Sequence, residues 1–477
     1  MNEKILFGTD GIRGVADAEW LAPQKVEHIG RCVGVMLRKN PAALHSSERP
    51  FPAVAGRRRS VDGKGKVIIG RDTRESGPRI QAALEKGLLE QGVDVIDVGI
   101  APTPAIALLC ALWNCELAVV VSASHNPADH NGIKLFASNG LKVPDSGEIE
   151  LEKIILSGET FNPAARRGSQ SRAHDYFDDY FAFVRDVCLD GRNLKGLKFV
   201  LDCANGAQAV LAPRVFEKLG AKVIALNCAT DGKAINENCG ALYPEMLVEP
   251  VRRNSADLGV SFDGDGDRAM FVDETGAVRD GDFILALYAG FLKERGALPG
   301  DIVVTTVMAN LGLEVSLKEA NIRMDRTQVG DKYVVEAMLR HNYILGGEQS
   351  GHILFLDCSN TGDGVITALN VLKVMIDRKK SLSALCEGVR KYPQILINVP
   401  VREKIPLENI PAVREKARRI ERDFAGRLRL VLRYSGTEKK ARVMLEGPDQ
   451  AEIEALAGDI AQAIRAEIGE NHGPKTK

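Results

Sequence analysis

Residues 67–98, VIIGRDTRESGPRIQAALEKGLLEQGVDVIDV, spell out one complete strand–helix–strand unit. Val67-Ile68-Ile69 is an apolar run that ends in a polar turn. Ile80, Ala83, Leu84 and Leu88 then recur on one face at helical spacing, Gln91-Gly92 stops the helix, and Val93–Val98 returns as a second strand. Glycine suits that stop because the left-handed backbone it requires disfavours a side chain. Strand starts 26 residues apart fit a βαβ crossover, whose helix must bury its apolar stripe on a sheet face. The order recurs at Phe199-Val200-Leu201, Val210–Leu219, Gly220 and Val223–Leu226, with starts 24 residues apart. A weaker third copy runs through Ile302-Val303-Val304, Leu311–Ala320 and Ile322-Arg323-Met324, with starts 20 apart. Three crossovers predict three related α/β domains with mixed, mainly parallel sheets.

Working outward, Ser157–Arg172 lacks periodicity and reads as a passage between units, while Pro41–Lys66, with Arg57-Arg58-Arg59, reads as a surface excursion. The last ninety or so residues change character. Asn398–Arg402, Leu428–Leu432 and Ala441–Leu445 look like strands around helices at Pro411–Phe424 and Gln450–Glu467, a smaller C-terminal α+β domain. The expected domains are 1–172, 173–274, 275–390 and 391–477. Composition agrees with a globular chain: 63 Lys+Arg nearly balance 64 Asp+Glu over 477 residues, which excludes a polybasic nucleic-acid coat and a charged disordered tail. The longest apolar runs, such as Ala105–Trp113, fall short of the ~18 residues of a membrane span. Nine cysteines without a Cys-x-x-Cys pair argue against a disulfide framework or structural zinc, so a reduced cytoplasmic setting is expected.

Four loops carry possible chemistry. Asp263-Gly264-Asp265-Gly266-Asp267-Arg268 lies between apolar runs, and residues 257–282 hold eight acidic and two basic side chains. Carboxylates alternating with glycine in a strand–loop–strand setting can converge on a hard divalent cation, and Mg2+ is the one expected. An EF-hand is rejected because Arg268 fills the glycine position; an aspartyl phosphatase with Asp263 as nucleophile stays open. Ser122-Ala123-Ser124-His125-Asn126-Pro127 follows the buried run Leu117–Val121, at the sheet edge where α/β proteins place ligands, with Lys134 ten residues on. Gly346-Gly347-Glu348-Gln349-Ser350-Gly351-His352 joins two strands and offers Glu348 and Ser350 to vicinal hydroxyls; an ordinary hairpin is the competing reading.

Arg433-Tyr434-Ser435-Gly436-Thr437-Glu438, with Arg442 nearby, follows a strand in a segment holding thirteen basic and six acidic residues between Arg402 and Arg442. Hydroxyls, backbone N–H groups and guanidiniums suit a dianionic phosphate. Only Phe424 and Tyr434 could stack a base there, which disfavours nucleic acid, and no Gly-rich phosphate or dinucleotide motif points to ATP or NAD.

Together with Phe7-Gly8-Thr9-Asp10-Gly11-Ile12-Arg13-Gly14, this order of loops resembles the α-D-phosphohexomutase superfamily, and within it the enzymes that act on glucosamine phosphates. The resemblance implies four domains around a central cleft. It implies a phosphoserine at Ser124, one Mg2+ held by Ser124, Asp263, Asp265 and Asp267, and a reacting centre lined by Arg13, His125, Lys134 and Arg268. Thr9, Glu348 and Ser350 would bind the sugar phosphate, while Arg433, Ser435, Gly436, Thr437 and Arg442 would hold the distal phosphate. Glucosamine 6-phosphate would pass to glucosamine 1-phosphate through glucosamine 1,6-bisphosphate, a step towards UDP-N-acetylglucosamine and the cell envelope. The partner expected is a small phosphosugar, not nucleic acid or membrane, and homo-oligomerisation stays open. Phosphoglucomutase or phosphomannomutase activity is the nearest alternative, and a non-catalytic phosphosugar sensor a further one. Tyr434 and Lys439 replace two prolines usual in the distal loop, which puts its rigidity in doubt.

Overall fold

The computed structural model describes residues 4–45, 61–173, 175–435 and 439–470. The chain divides into two compact units, Met1–Thr306 with Ile322–Glu387, and Val307–Asn321 with Gly388–Lys477.

The first unit contains three sheets. The first sheet is built from β1 (Ile12–Val15), β2 (Lys66–Arg71), β3 (Asp94–Ile100), β4 (Leu117–Val121), β5 (His130–Ala137) and β6 (Gln170–Arg172), with helices α1 (Pro23–Lys39), α2 (Gly77–Glu90), α3 (Thr103–Trp113) and α4 (Asp145–Ser157). Its order is β1-β5-β4-β2-β3-β6. The second sheet follows α5 (Phe177–Cys188) and runs through β7 (Lys198–Asp202), α6 (Ala212–Lys218), β8 (Lys222–Leu226), α7 (Val248–Arg253), β9 (Leu258–Phe262), β10 (Ala269–Asp273) and β11 (Val278–Arg279), in the order β11-β10-β9-β7-β8. The third follows α8 (Gly281–Glu294) and comprises β12 (Ile302–Thr306), β13 (Arg323–Thr327), β14 (Leu345–Gly347) and β15 (Ile353–Phe355), in the order β13-β12-β14-β15.

A common four-strand motif repeats in all three sheets: β3-β2-β4-β5, β8-β7-β9-β10 and β13-β12-β14-β15. In each, the first three strands are parallel and the fourth returns antiparallel. The three related domains and mixed, mainly parallel sheets expected from the periodicity are therefore present. The turn between the third and fourth strands carries the serine loop in the first repeat, the aspartate loop in the second and the Gly-Glu-Gln-Ser-Gly loop in the third. Interleaved apolar side chains such as Val67, Ile69, Leu84, Val119 and Leu135 form one core beneath the first sheet.

Two local readings change. The passage Ser157–Arg172 ends in β6, which pairs parallel with β3 although its three residues are exposed. Backbone pairing, which leaves no apolar pattern, makes that strand. The third crossover helix, α9 (Leu311–Glu319), falls in the second unit. There the Leu311 amide donates to Glu446 at 3.2 Å and the Asn310 amide group to Tyr392 O at 3.0 Å. Residues 46–60 of the predicted excursion lie outside the described residues.

After α10 (Asp331–His341), α11 (Gly364–Arg378) and α12 (Leu382–Leu385) of the first unit, the second unit closes the chain. Its antiparallel sheet has β16 (Gln394–Pro400), β17 (Arg429–Tyr434) and β18 (Lys440–Glu446) in the order β16-β18-β17, with α13 (Pro411–Asp423) and α14 (Gln450–Ile468). Val413, Ile420, Val443, Ile460 and Ile464 form its core. Among the described residues, no helix is long and apolar enough to cross a membrane.

The contact between α1 and α2 depends on glycine. A Cβ on Gly87 would lie 2.2 Å from Glu27 O, and one on Gly30 would lie 2.3 Å from Leu84 O. Backbone cannot swing aside, so Gly87→Ala is expected to destabilise by about 3 kcal/mol despite better helix propensity. Gly290→Ala, in open space on α8, should stabilise by under about 1 kcal/mol. Urea unfolding midpoints check both; equal midpoints for the two variants would contradict the packing argument.

Candidate active site

Ser124 lies just past the end of β4, buried, with a left-handed backbone (φ +52°). That conformation is strained for a side-chain-bearing residue and persists only where its surroundings over-determine it. The Ser124 Oγ donates to Asp263 Oδ2 at 2.7 Å and lies 3.3 Å from His125 Nδ1. Ser122 does different work: its Oγ donates to Asp72 at 2.6 Å and accepts the Ser124 amide at 2.9 Å. The serine and aspartate loops can meet because of Gly264, where a Cβ would lie 2.6 Å from Ser124 O.

Asp263, Asp265 and Asp267 are buried and each presents an oxygen within 4.8 Å of the others. Asp263 Oδ1 accepts the Gly266 and Arg268 amides at 3.1 and 3.2 Å. Asp265 Oδ2 accepts from Thr103 Oγ1 at 2.6 Å and from Lys134 Nζ at 2.8 Å. Buried Asp265 Oδ1 and Asp267 Oδ1 have no hydrogen-bond partner among the described residues. Burial, with Asp267 and Asp265 beside it, pushes Asp263 well above the usual carboxylate range; burial and Asp265 also raise Asp267. Burial would raise Asp265 too, but the Lys134 ammonium holds it low. Two orphaned buried oxygens and like-charge crowding are what a hard cation with oxygen ligands relieves, so these residues fit a divalent metal.

Lys134, on β5, is clasped by Asp265 and by Asp10, both at 2.8 Å. Asp10 also pairs with Arg13 of β1 and with Lys142 at 2.6 Å. Lys142 reaches Asp331 at 2.6 Å, and His352 lies 3.8 Å from Asp331 and 4.0 Å from Asp267. Burial opposes charge on Lys134, but Asp10 and Asp265 raise its pKa and keep it cationic. Burial, then Arg268 and Arg13, push His125 down to about 3, so its imidazole is neutral at physiological pH. Arg268 stands 3.9 Å from Asp267, and its buried Nε has no hydrogen-bond partner among the described residues.

Glu348 accepts the Gly330 amide at 3.3 Å, and Ser350 lies two residues on in the same turn, half-buried. The turn is anchored to the aspartate loop's exit: the Ala269 amide donates to Gly351 O at 3.0 Å. Thr9 lines a cavity of about 510 Å³ together with Lys142, Asp331, Lys332 and His352. The first unit thus brings Ser124, His125, Lys134, Arg13, Arg268 and the three aspartates into one charged network. Sequence reasoning gave no role to Asp10, Lys142, Asp331 or His352. Asp10 and His352 lay inside quoted motifs, whereas nothing in the sequence marks Lys142 or Asp331.

In the second unit, Arg433 and Arg442 face each other across β17 and β18. Burial, then Arg442, lower the Arg433 pKa. Ser435 is buried, with its Oγ 3.4 Å from Arg442 Nη2 and its carbonyl accepting Lys404 Nζ at 2.8 Å. Gly436 and Thr437 lie outside the described residues. Two facing guanidiniums beside a hydroxyl suit an anion with several acceptor oxygens.

Domain models of the phosphoglucomutase/phosphomannomutase family match the chain in order: α/β/α domain I over residues 52–161, domain II over 175–276, domain III over 280–392 and the C-terminal domain over 396–463. The chain is 41% identical over 469 residues to a phosphoglucosamine mutase of Geobacter sp. (strain M21), covering 98% of this chain and 99% of that protein. It is 43% identical over 466 residues to the phosphoglucosamine mutase of Symbiobacterium thermophilum, covering 97% and 99%. A crystal structure of a phosphoglucomutase/phosphomannomutase family protein from Burkholderia thailandensis superposes with a TM-score of 0.76 at 26% identity, over 98% of this chain and 99% of that one. Four domain matches in order, and relatives at this identity along nearly the whole length, establish that the chain belongs to the phosphoglucomutase/phosphomannomutase family and groups there with the phosphoglucosamine mutases.

Proposed function

We propose that the protein interconverts glucosamine 6-phosphate and glucosamine 1-phosphate, with Ser124 carrying the phosphoryl group. The observation that carries this reading is the buried Ser124 Oγ, 2.7 Å from Asp263 in a pocket with two orphaned carboxylate oxygens. Phosphoserine would donate to O1 of the sugar phosphate, giving a 1,6-bisphosphate that reorients and returns its 6-phosphoryl group to Ser124 Oγ. The net change moves one phosphate and leaves the serine loaded.

Asp263, Asp265 and Asp267, with the Ser124 oxygen, would hold one Mg2+ per chain. Bound there, the ion supplies Lewis-acid stabilisation of negative charge on a phosphoryl group. The chain's own groups do the rest. Lys134, locked between Asp10 and Asp265, presents a fixed cation, and Arg13 and Arg268 add charge that needs no reorganisation during transfer. Neutral His125 lines the reacting centre beside the serine hydroxyl, 3.3 Å from its Oγ, where it can exchange a hydrogen bond with it without adding charge. Glu348, Ser350 and Thr9 bind sugar hydroxyls and phosphate. Arg433, Ser435 and Arg442, with Gly436 and Thr437, bind the non-reacting phosphate. We place the enzyme in the cytoplasm, on the route to UDP-N-acetylglucosamine for the cell envelope, and divide its domains at about the boundaries read from the sequence.

Ser124→Ala is expected to abolish mutase turnover. Ser122→Ala loses two hydrogen bonds, together about 2 kcal/mol, and should keep a substantial part of the activity. Peptide mass spectrometry should find phosphate on Ser124; full activity in Ser124→Ala would end the assignment. Among glucosamine, glucose and mannose 6-phosphates, kcat/KM should be highest for glucosamine, and a higher value for either other sugar would shift the reading to a phosphoglucomutase or phosphomannomutase.

Cation binding must also compete with protons. Raised pKa values at Asp263 and Asp267 mean that the folded, ion-free protein holds protons there more tightly than the unfolded chain. Their contribution favours folding at low pH and is lost as pH rises through those values. The Tm gain produced by Mg2+ should therefore grow with pH above the ordinary carboxylate range. A gain that is flat from pH 5 to 8.5, or that shrinks as pH rises, would contradict the carboxylate site.

A further inference from the structure

Neither of the two residues that hold the serine loop in place lies in any of the four loops. Arg74, just beyond β2, has a fully buried side chain. Its Nη2 donates to Ser124 O at 2.9 Å and Asn126 O at 2.8 Å, while Nη1 donates to Pro127 O and, at 3.0 Å, to His130 O. Asp72 fixes the guanidinium from behind, accepting Nε at 2.9 Å, and the same carboxylate accepts Ser122 Oγ. Asn236 approaches from the loop after β8 in the second sheet. Its Nδ2 donates to the same two carbonyls, Ser124 O at 2.9 Å and Asn126 O at 3.2 Å. Asn236 is itself pinned, its amide donating to Ala204 O at 2.9 Å.

Two donors from different sheets thus converge on one pair of carbonyl oxygens. Arg74 belongs to the repeat that carries the serine, and Asn236 to the repeat that carries the aspartates. We propose that Arg74 and Asn236 are positioning residues that clamp the serine loop from both sides, hold Ser124 in its left-handed conformation, and set the distance from its Oγ to the aspartate trio. The proposal rests on the reading of Ser124 as phosphoryl carrier. Arg74 supplies the charge-assisted fork that gathers four carbonyls, and Asn236 fixes the serine repeat against the metal-loop repeat. Neither side chain is required to touch the sugar, so their loss should act on transfer and leave binding nearly intact.

The test uses the full-length protein with Mg2+ and glucosamine 6-phosphate. Asn236→Asp keeps the side-chain shape but turns an oxygen toward the two carbonyls, and Asn236→Ala removes the donor without adding charge. Both should lower kcat roughly 10- to 100-fold while KM stays within about threefold, because a misplacement near 1 Å slows transfer without weakening ground-state binding. Arg74→Lys keeps the charge but loses the fork and should show the same split. Tm values and the fraction of Ser124 phosphorylated, read by mass spectrometry, report folding and loading separately. If phosphate sits on Ser124 and kcat of the folded Asn236 variants stays within twofold of the parent, the clamp is overturned and the serine reading stands. A proportional rise in KM would assign Asn236 to substrate binding and also overturn it. Phosphate found on another residue of the parent protein would overturn both.

Discussion

Three carboxylates crowded into a buried pocket are the constraint that the surrounding structure answers. With oxygens within 4.8 Å of one another, each ionised pair repels by about 3–4 kcal/mol at an effective dielectric constant near 20. Lys134 compensates Asp265 at 2.8 Å and Asp267 more weakly at 4.0 Å, and is itself shared with Asp10. Burial, and then the remaining repulsion, fall on Asp263 and Asp267, whose protons bind more tightly as a result. Around the trio, Asp10 gathers Arg13, Lys134 and Lys142, and Lys142 reaches on to Asp331, each buried or half-buried charge meeting an opposite one. Such a network is expensive to desolvate and gains little as a stability device. In the function proposed above, its use would be to fix charge where a dianionic phosphate would otherwise force reorganisation.

The repeated four-strand motif explains how separate stretches of chain build one site. In each repeat the functional turn follows the last parallel strand, where the next strand reverses direction. Reversal keeps the turn short and leaves it at the strand's carboxyl end, the edge where open α/β sheets hold ligands. Close approach between two of these turns then depends on small residues, with Gly264 against the Ser124 carbonyl. The third turn joins the same neighbourhood through the Ala269–Gly351 hydrogen bond. The second unit follows other rules: its all-antiparallel sheet places Arg433 and Arg442 directly across from each other, a like-charge pairing that costs stability unless an anion lies between them.

The features legible in the residues alone follow from short-range physics. Apolar runs spaced about two dozen residues apart, broken by amphipathic segments, dictated the crossovers, because a parallel sheet must bury both faces. The aspartate–glycine alternation was legible for the same reason, since few other backbones can turn that tightly while carrying three charges. Legibility failed where main-chain pairing or distant partners decide. The exposed strand β6 has no apolar pattern because backbone pairing with β3 and polar side-chain contacts hold it, and α9 was read with the third repeat although its nearest partners lie past residue 388.

Only the tertiary structure assigned work to Lys142, Asp331, Arg74 and Asn236. Each acts on atoms fifty or more residues away in sequence, as Arg74 does on Ser124 at 50 and Asn236 at 112 residues' separation. Between the two serines the sequence offered a resemblance but no force. In the fold, Ser122 is occupied by Asp72 and the Ser124 amide, whereas Ser124 is turned by a left-handed backbone toward Asp263. Local sequence sets which groups a segment can present. Which of them meet is fixed by long-range packing, because burial makes an unpaired charge too costly to leave anywhere except beside its counterpart.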